Sequence, residues 1–580
     1  MEEKWFIKNS RGDFDLIGGT HQINPVIAQL IVNRGITGNE EMQAYLHPSL
    51  KNMHNPLEMK DLERACDILI QKIKEGKTIR IIGDYDVDGV MATYILMTGL
   101  ELCGAKVDYE IPDRIKDGYG INKEIITACI RDDIDTILTC DNGIAAGEEI
   151  AFAKENGRSV IITDHHDIPL AEGIPPGDAV VNPKQKDCAY PFKGICGGVV
   201  AFKLVEALYD RCSIDREKRL ELLEFAAIAT VCDVMDLKDE NRAIVKKGIE
   251  CFQKTKNIGL KALIKECGLT GKEIDPYHFG FVIGPCINAS GRLESAKLSL
   301  ELLLSKEKDR AEKLAKELKE LNDIRKDMTA KGLEKAIEIV ENTDRSRDKI
   351  LVVYVEDCHE SLAGIIAGRL KERYYKPTIV LTNAKEGVKG SGRSIEEYNM
   401  FEELTKCRHL LNKFGGHPMA AGISLDYEKV EELRRELNQN TTLTQEDLCP
   451  KISFDMVLPF EKINLSLIEE MEELKPYGRG NEKPLFALKN VEILGAKILG
   501  KNKNVLKLQV KTDSFKGNYT AMIFQNHLAF LERVQEKYGK EAVEDLLENR
   551  KSIRMDLIFQ LNVNEYNGME SVQLMVQNFR

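Results

Sequence analysis

From Thr78 onward the apolar residues of this 580-residue chain fall into a regular alternation. TIRIIGD reads as a short buried strand, and VMATYILMTGLELCG after it reads as a buried helix. KVDYEIP and INKEIITACIRDD repeat the pair. TILTCDNG with AAGEEIAFAKENG repeats it again, and SVIITDHH and AVVNP add two more strands. Apolar runs of about five residues alternating with helical stretches predict βαβ units and a parallel, doubly wound sheet.

Residues 306–341 contain no proline and a single glycine, and Ala311, Leu314, Ala315, Leu318 and Leu321 recur at helical spacing. That predicts one long amphipathic helix linking two lobes. A second, smaller α/β lobe follows in KILVVYVED, AGIIAGRLKERY and PTIVLTN. Beyond Cys449 the texture changes to short strands such as VLKLQVKT, YTAMIF and SIRMDLIFQLNV, which predict a small β-barrel. Its Leu485–Tyr519 stretch carries seven lysines against Glu492 and Asp513, together with Phe486, Phe515 and Tyr519. Basic strands with aromatics suit a single-strand-binding OB-like barrel; the same aromatics also suit a barrel core.

Length and composition narrow the picture only slightly. A chain this long exceeds one core, so two to four domains are expected. Its start, MEEKWFIKNSRGDFD, has no basic segment leading into an apolar one, and no run approaches a membrane span. A cytoplasmic protein with no membrane association is therefore expected. The fourteen cysteines include no CxxC pair, which disfavours a zinc knuckle or a disulfide framework. The net charge of −12 argues only weakly against nucleic acid, because carboxylates that hold metal ions inflate the negative count.

The acidic residues fall in telling places. Asp84, Asp86 and Asp88 lie in GDYDVDG just past one strand, Asp141 in TCDNG past another, and Asp164, His165 and His166 past a third. In an open parallel sheet these carboxyl ends form the ligand crevice. Any one of these aspartates alone is an ordinary helix cap. Three clusters converging need something cationic among them, and oxygen-rich ligands with histidine suit Mn²⁺ or Mg²⁺. Two such ions could activate a water and hold a phosphodiester.

With GDYDVDG upstream and TCDNG between, the Asp164–His166 triplet resembles the DHH phosphoesterase superfamily. The ordered series IPDRIKDGYGIN, GPCINASGRLE, KGSGRSI, FGGHPMAAG and LKPYGRGNEKPLF is similar to the RecJ family of single-strand DNA exonucleases across nearly the whole chain. The resemblance implies an N-terminal segment 1–55, a DHH catalytic domain 56–305, a connecting helix 306–345, a DHHA1-type substrate lobe 346–448 and an OB-like domain 449–580. It implies Asp86, Asp88, Asp141, His165 and Asp233 as ligands of two ions. His166 and Asp84 are implied as catalytic groups, with Asp84 either outside the ligand shell or on a second ion, and Asp164 as the residue orienting His165. Arg114, Tyr119, Asn288, Arg292, Ser391, Arg393 and His417 are implied to grip substrate.

Two departures stand out: an arginine usual in the GPCINASGR motif is Cys286, and a tryptophan usual in the second lobe is Cys358. The expected activity is 5′→3′ degradation of single-stranded DNA to 5′-mononucleotides in repair and recombination. Single-strand-binding protein and a RecQ-type helicase are the expected partners, and the expected form is a monomer. The competing readings are a small-substrate DHH phosphodiesterase (nano-RNase or cyclic-dinucleotide type) and a non-catalytic DHH scaffold of a replication complex. No GxxxxGK[ST] loop is present to drive a motor.

Overall fold

The computed structural model describes residues 3–114, 116, 120–169, 173–524 and 526–580. They form two compact units. One comprises 53–235 with 243–450, and the other 3–52, 236–242 and 451–580.

The first unit begins with a five-stranded sheet, ordered Lys106–Glu110, Thr78–Ile82, Thr136–Cys140, Ser159–Thr163, Ala179–Val181. Every pairing is parallel. The second strand in sequence lies outside the first, so the topological switch falls between Thr78–Ile82 and Thr136–Cys140, where an α/β sheet opens its crevice. Helices Lys123–Arg131 and Gly147–Glu155 seal one face through Ile126, Cys129, Ile150 and Ala153 against Ile137, Val160 and Ile162. The helix Val87–Leu102 packs instead on Gly197–Arg211 and Leu220–Cys232, and it is apolar all round because protein surrounds it.

The connecting helix spans Lys308–Glu341. Ala311, Leu314, Ala315 and Leu318 bury the predicted stripe against the helices Ile258–Glu266 and Gly284–Leu293, while its far half packs on Ala363–Tyr374. The smaller lobe is a mixed five-stranded sheet in the order Lys413–His417, Ala420–Leu425, Val388–Arg393, Thr378–Asn383, Leu351–Tyr354.

In the second unit the strand Phe486–Leu499 pairs with both Val505–Lys511 and Ile553–Tyr566. With Tyr519–Ile523 and Met569–Phe579 this closes a five-stranded barrel, leaving no open edge among those strands. The N-terminal residues do not stand apart as an independent segment. Strand Lys4–Ile7 pairs in parallel with Lys451–Phe454, and Ile27, Leu30 and Ile31 share one core with Leu458, Phe460 and Leu467. A short amphipathic stretch cannot bury its apolar face alone, so it joins the barrel's flank. Phe486 is barrel core, and Phe515 stacks on Tyr519 at 5.3 Å against that core. The core reading of these aromatics therefore prevails over the base-stacking one.

Candidate metal centre and anion cleft

Three loops at the sheet's carboxyl end converge. Asp86 caps the helix Val87–Leu102, accepting from Gly89 N at 3.1 Å. Asp88, in the helix's first turn, is buried and accepts from Gly197 N and Gly198 N, both at 2.7 Å. These two glycines admit no side chain. A Cβ on Gly197 would lie 2.7 Å from Asp141 Cβ, and one on Gly198 2.7 Å from Ala229 Cβ. Asp141 follows its strand directly with φ 59°, a left-handed turn that Asp tolerates, and this tips its carboxylate into the crevice.

His165 lies at the hub. Its Nε2 is 3.1 Å from Asp141 Oδ1 and 3.6 Å from both Asp88 Oδ2 and Asp233 Oδ2. Asp233 arrives from the end of the helix Leu220–Cys232, where it is the C-cap. Potential ligand atoms of Asp88, His165 and Asp233 lie within 4.8 Å of one another, as do those of Asp84, Asp86 and Asp141. These two triplets share no residue, and a third, Asp141, His165 and His166, overlaps both. Each of the implied ligands thus belongs to at least one triplet, and Asp84 joins them.

Asp164 does something other than expected. Its Oδ1 accepts from His166 Nδ1 at 2.8 Å and from the backbone N–H of His165 and His166, while Oδ2 accepts from Ile144 N. It therefore fixes the His166 ring and touches His165 only through its backbone. The His165 ring sits too near the other carboxylates to turn toward Asp164.

Burial and crowding of like charges set the electrostatics of the cluster. Burial, then Asp86, pushes Asp84 well above the carboxylate range, and burial with Asp88, Asp86 and Asp84 does the same to Asp141. Burial and the charge of Asp88 lift Asp233 to about 8. Burial holds His165 below its ordinary value. For His166 burial also pulls down, but the bond to Asp164 wins and lifts it to about 9. Asp164 is pushed up by burial, yet the His166 bond, the His166 charge and the backbone donors bring it lower than usual. Asp84 Oδ1, Asp141 Oδ1, Asp233 Oδ2 and both His165 ring nitrogens are buried without a hydrogen-bond partner among the described residues. Buried orphans of this kind, all hard oxygen or imidazole nitrogen, fit Mn²⁺ or Mg²⁺.

Tyr85, between Asp84 and Asp86, opens onto a cleft of about 630 Å³. Arg114, Arg292, Ser391 and Arg393 line it, and the Arg114 guanidinium lies 4.8 Å over the Tyr85 ring. Arg292 donates to Ser361 O at 2.7 Å and is held down at about 10 by burial and then by the charge of Arg114. Arg393 is likewise lowered by burial and Arg114. Mutually repelling, partly desolvated guanidinium groups make an anion site.

Two expected residues lie elsewhere. Asn288 does not line this cleft; its Oδ1, on the helix that carries Arg292, is buried without a hydrogen-bond partner among the described residues. His417 is exposed on the Lys413–His417 strand, with Nδ1 accepting from Met419 N, because its hairpin carries it past the cleft wall. Tyr119 lies outside the described residues. Sequence reasoning missed Tyr85, Lys389 and Lys413 in the cleft, and the Gly197–Gly198 amides behind Asp88. Tyr85 and Lys389 sit inside quoted motifs, GDYDVDG and KGSGRS, so the signal was present; Gly197 and Gly198 were visible only as a glycine pair in GICGGVV.

A parallel sheet carrying an Asp/His cluster at its switch point, opening onto an arginine-lined cleft that Arg393 of the second lobe helps to wall, defines a phosphoesterase of the DHH class. Family profiles agree: the DHH family N-terminal domain matches residues 78–230, the DHHA1 domain 347–442 and the RecJ OB domain 454–578. The chain belongs to the RecJ family. It is 38% identical over 560 residues to the single-stranded-DNA-specific exonuclease RecJ of Bacillus subtilis, covering 96% of this chain and 68% of that one. It is 30% identical to RecJ of Escherichia coli, covering 96% of each. The crystal structure of RecJ with Mn²⁺ from Thermus thermophilus superimposes with a TM-score of 0.82 at 27% identity, covering 100% of this chain and 79% of that one. Its Mg²⁺ complex matches at 0.77 and 25% identity, covering 100% of this chain and 78% of that one. No helix among the described residues is long and apolar enough to cross a membrane.

Proposed function

We propose that this protein is a metal-dependent exonuclease that degrades single-stranded DNA from the 5′ end, releases 5′-mononucleotides, and serves DNA repair and recombination. The observation that carries the reading is the junction at Tyr85, where the Asp/His triplets meet the arginine cleft. Family membership supplies the substrate class.

Asp86, Asp88, Asp141, His165 and Asp233 would hold two ions, with Asp84 at the same centre. Bound there, Mn²⁺ or Mg²⁺ would supply an activated water and Lewis-acid stabilisation of the phosphodiester. Arg114, Arg292, Ser391 and Arg393 hold the strand by its phosphate oxygens, through charged and hydroxyl donors. His166, its ring fixed through Nδ1 by Asp164, would turn its other ring nitrogen to a phosphate oxygen or proton near the reacting bond. Burial of Asp88 against two amide donors fixes the carboxylate before substrate arrives, so little reorganisation is left to the reaction. Asn288 and His417 would act only at the edge of this grip.

The seven lysines of Leu485–Tyr519 on the barrel suit the phosphates of a polymer better than a dinucleotide. Family resemblance implies single-strand-binding protein and a RecQ-type helicase as partners, and a cytoplasmic monomer as the acting form. The test offers 5′- and 3′-labelled single strands, duplex and dinucleotides with Mn²⁺ or Mg²⁺, and identifies the first product. A labelled 5′-mononucleotide released first from the 5′-labelled strand is expected. Preference for the dinucleotide, or first release from the 3′ end, would overturn the reading.

A further inference from the structure

The cysteine that replaces the expected arginine does not face the cleft. Cys286, on the helix Gly284–Leu293, is 1% exposed, and its Sγ lies 3.7 Å from Sγ of Cys267, the partly exposed C-cap of the helix Ile258–Glu266. Two thiols this close differ from the scattered buried ones; Cys103 also neighbours Cys212, but burial and Cys212 push its thiol up to about 12. Burial raises Cys66, Cys140, Cys196 and Cys232 and leaves them inert. Cys286 instead is surrounded by groups that favour a thiolate. Asn322 on the connecting helix donates Nδ2 to its sulfur at 3.3 Å, and Lys319 and Lys326 of the same helix bring positive charge. The Cys267 thiol supplies the largest lowering effect on Cys286 and is itself raised, so the two sulfurs share a proton.

We propose that Cys267 and Cys286 form a reversible disulfide under peroxide, and that this bond loosens the grip on DNA. The shared thiolate attacks one peroxide oxygen, the O–O bond breaks, and the departing hydroxide takes from solvent the proton the thiolate had released there, leaving as water and giving a sulfenic acid. The neighbouring thiol attacks that sulfur; the S–S bond forms, the S–O bond breaks, and the second water carries off the thiol proton. Two thiols lose two electrons and one peroxide becomes two waters. A dithiol reductant reverses the step.

Bonding requires the sulfurs to close from 3.7 Å to about 2.05 Å. That shift of well over 1 Å bears on the helix that carries Asn288 and Arg292, and it removes the thiolate that Asn322 contacts on the connecting helix. Displacements of this size at a positioning element cost binding and rate heavily, so the Michaelis constant for DNA should rise by at least about threefold. This second half rests on DNA being the substrate; the disulfide itself does not.

The full-length protein is treated with hydrogen peroxide, alkylated, digested and mapped by mass spectrometry, and assayed on single-stranded DNA before and after dithiothreitol. A cross-linked peptide joining Cys267 to Cys286, twelve of the fourteen thiols still alkylated, and a Michaelis constant that rises and then recovers are expected. Cys267→Ser should lose both the bond and the kinetic response while keeping its reduced-state activity, and Cys286→Ser should lose the bond. Full alkylation of both residues at a dose that oxidises glutathione would overturn the site. A bond formed with no change in the Michaelis constant, or the same change in Cys267→Ser, would overturn the coupling.

Discussion

Stripped of divalent ions, the protein should lose thermal stability as pH rises from 6.5 to 8. Asp233 titrates at about 8 in the fold and near ~3.9 in an unfolded chain. Because the folded value is the higher, the fold holds a proton across this window that the unfolded chain has already lost, and stability falls with each step upward. His166 runs the same way. Its folded value of about 9 lies above the unfolded ~6.5, so its contribution is complete below pH 6.5 and fades as pH climbs. Asp84 and Asp141, also raised, push in the same direction. Asp164 and His165 are lowered; Asp164 acts far below this window, and His165 opposes the fall only at the lower edge, where the unfolded imidazole sheds its last protons.

One such group costs about 1.4 kcal/mol per pH unit, which gives Asp233 about 2 kcal/mol between pH 6.5 and 8. The His166 side chain is 41% exposed, so solvent screening reduces its share to about 1 kcal/mol. For a cooperative unit of several hundred residues, at roughly 1 °C per kcal/mol, the melting temperature should drop by about 3 °C or more. Calorimetry on chelator-treated protein at four pH values reads this directly. Mn²⁺ takes the place of the protons and should flatten the slope while raising every midpoint; Asp233→Asn should flatten most of the slope without metal. A flat or rising profile in the metal-free protein, or an equal slope with Mn²⁺, would refute the reasoning.

Three substitutions probe the rest. Asp141→Ala should cut hydrolysis by roughly 10² or more with DNA binding retained, as measured by single-turnover release against filter binding, because Asp141 belongs to two of the three triplets. Arg393→Ala should raise the Michaelis constant for DNA by roughly tenfold to a hundredfold, the worth of one charged hydrogen bond, with Mn²⁺ affinity by titration unchanged. Arg242→Ala should destabilise the barrel unit by about 3–5 kcal/mol in urea, since that buried guanidinium donates to the carbonyls of Tyr45, Glu473, Leu474 and Lys475, of which, among the described residues, Leu474 alone keeps another close donor, Asn481 Nδ2.

The parallel sheet and the placement of Asp84–Asp88, Asp141 and Asp164–His166 at its ends were legible because strand period and strand-end carboxylates are local signals. Asp233 was not legible from pattern, since an aspartate closing a helix looks like any solvated cap; only resemblance pointed to it. The roles inside the DHH triplet were also hidden. Whether Asp164 holds His165 or His166 depends on where neighbouring loops place other carboxylates, and spacing carries no record of that. The barrel's composition was read correctly, but its partners were not. Residues 3–52 and Arg242 join it through apolar and carbonyl contacts separated by hundreds of residues, and nothing local announces such pairing.

The arrangement also shows how a chain keeps a costly cluster of acids from collapsing on itself. Crowded carboxylates escape repulsion by swinging apart or by protonating. Swinging is blocked here by donors from other elements: Gly197 and Gly198 pin Asp88, Gly89 pins Asp86, and Ile144 with two histidine amides pins Asp164. Protonation is what remains, and the raised values of Asp84, Asp141 and Asp233 record it. The lone pairs left over, on Asp84, Asp141, Asp233 and His165, are those that no hydrogen-bond partner among the described residues reaches. Backbone amides fix the outer oxygens and leave the inner ones to a cation, so the geometry is set before any ion arrives, and ion binding and stability become one equilibrium.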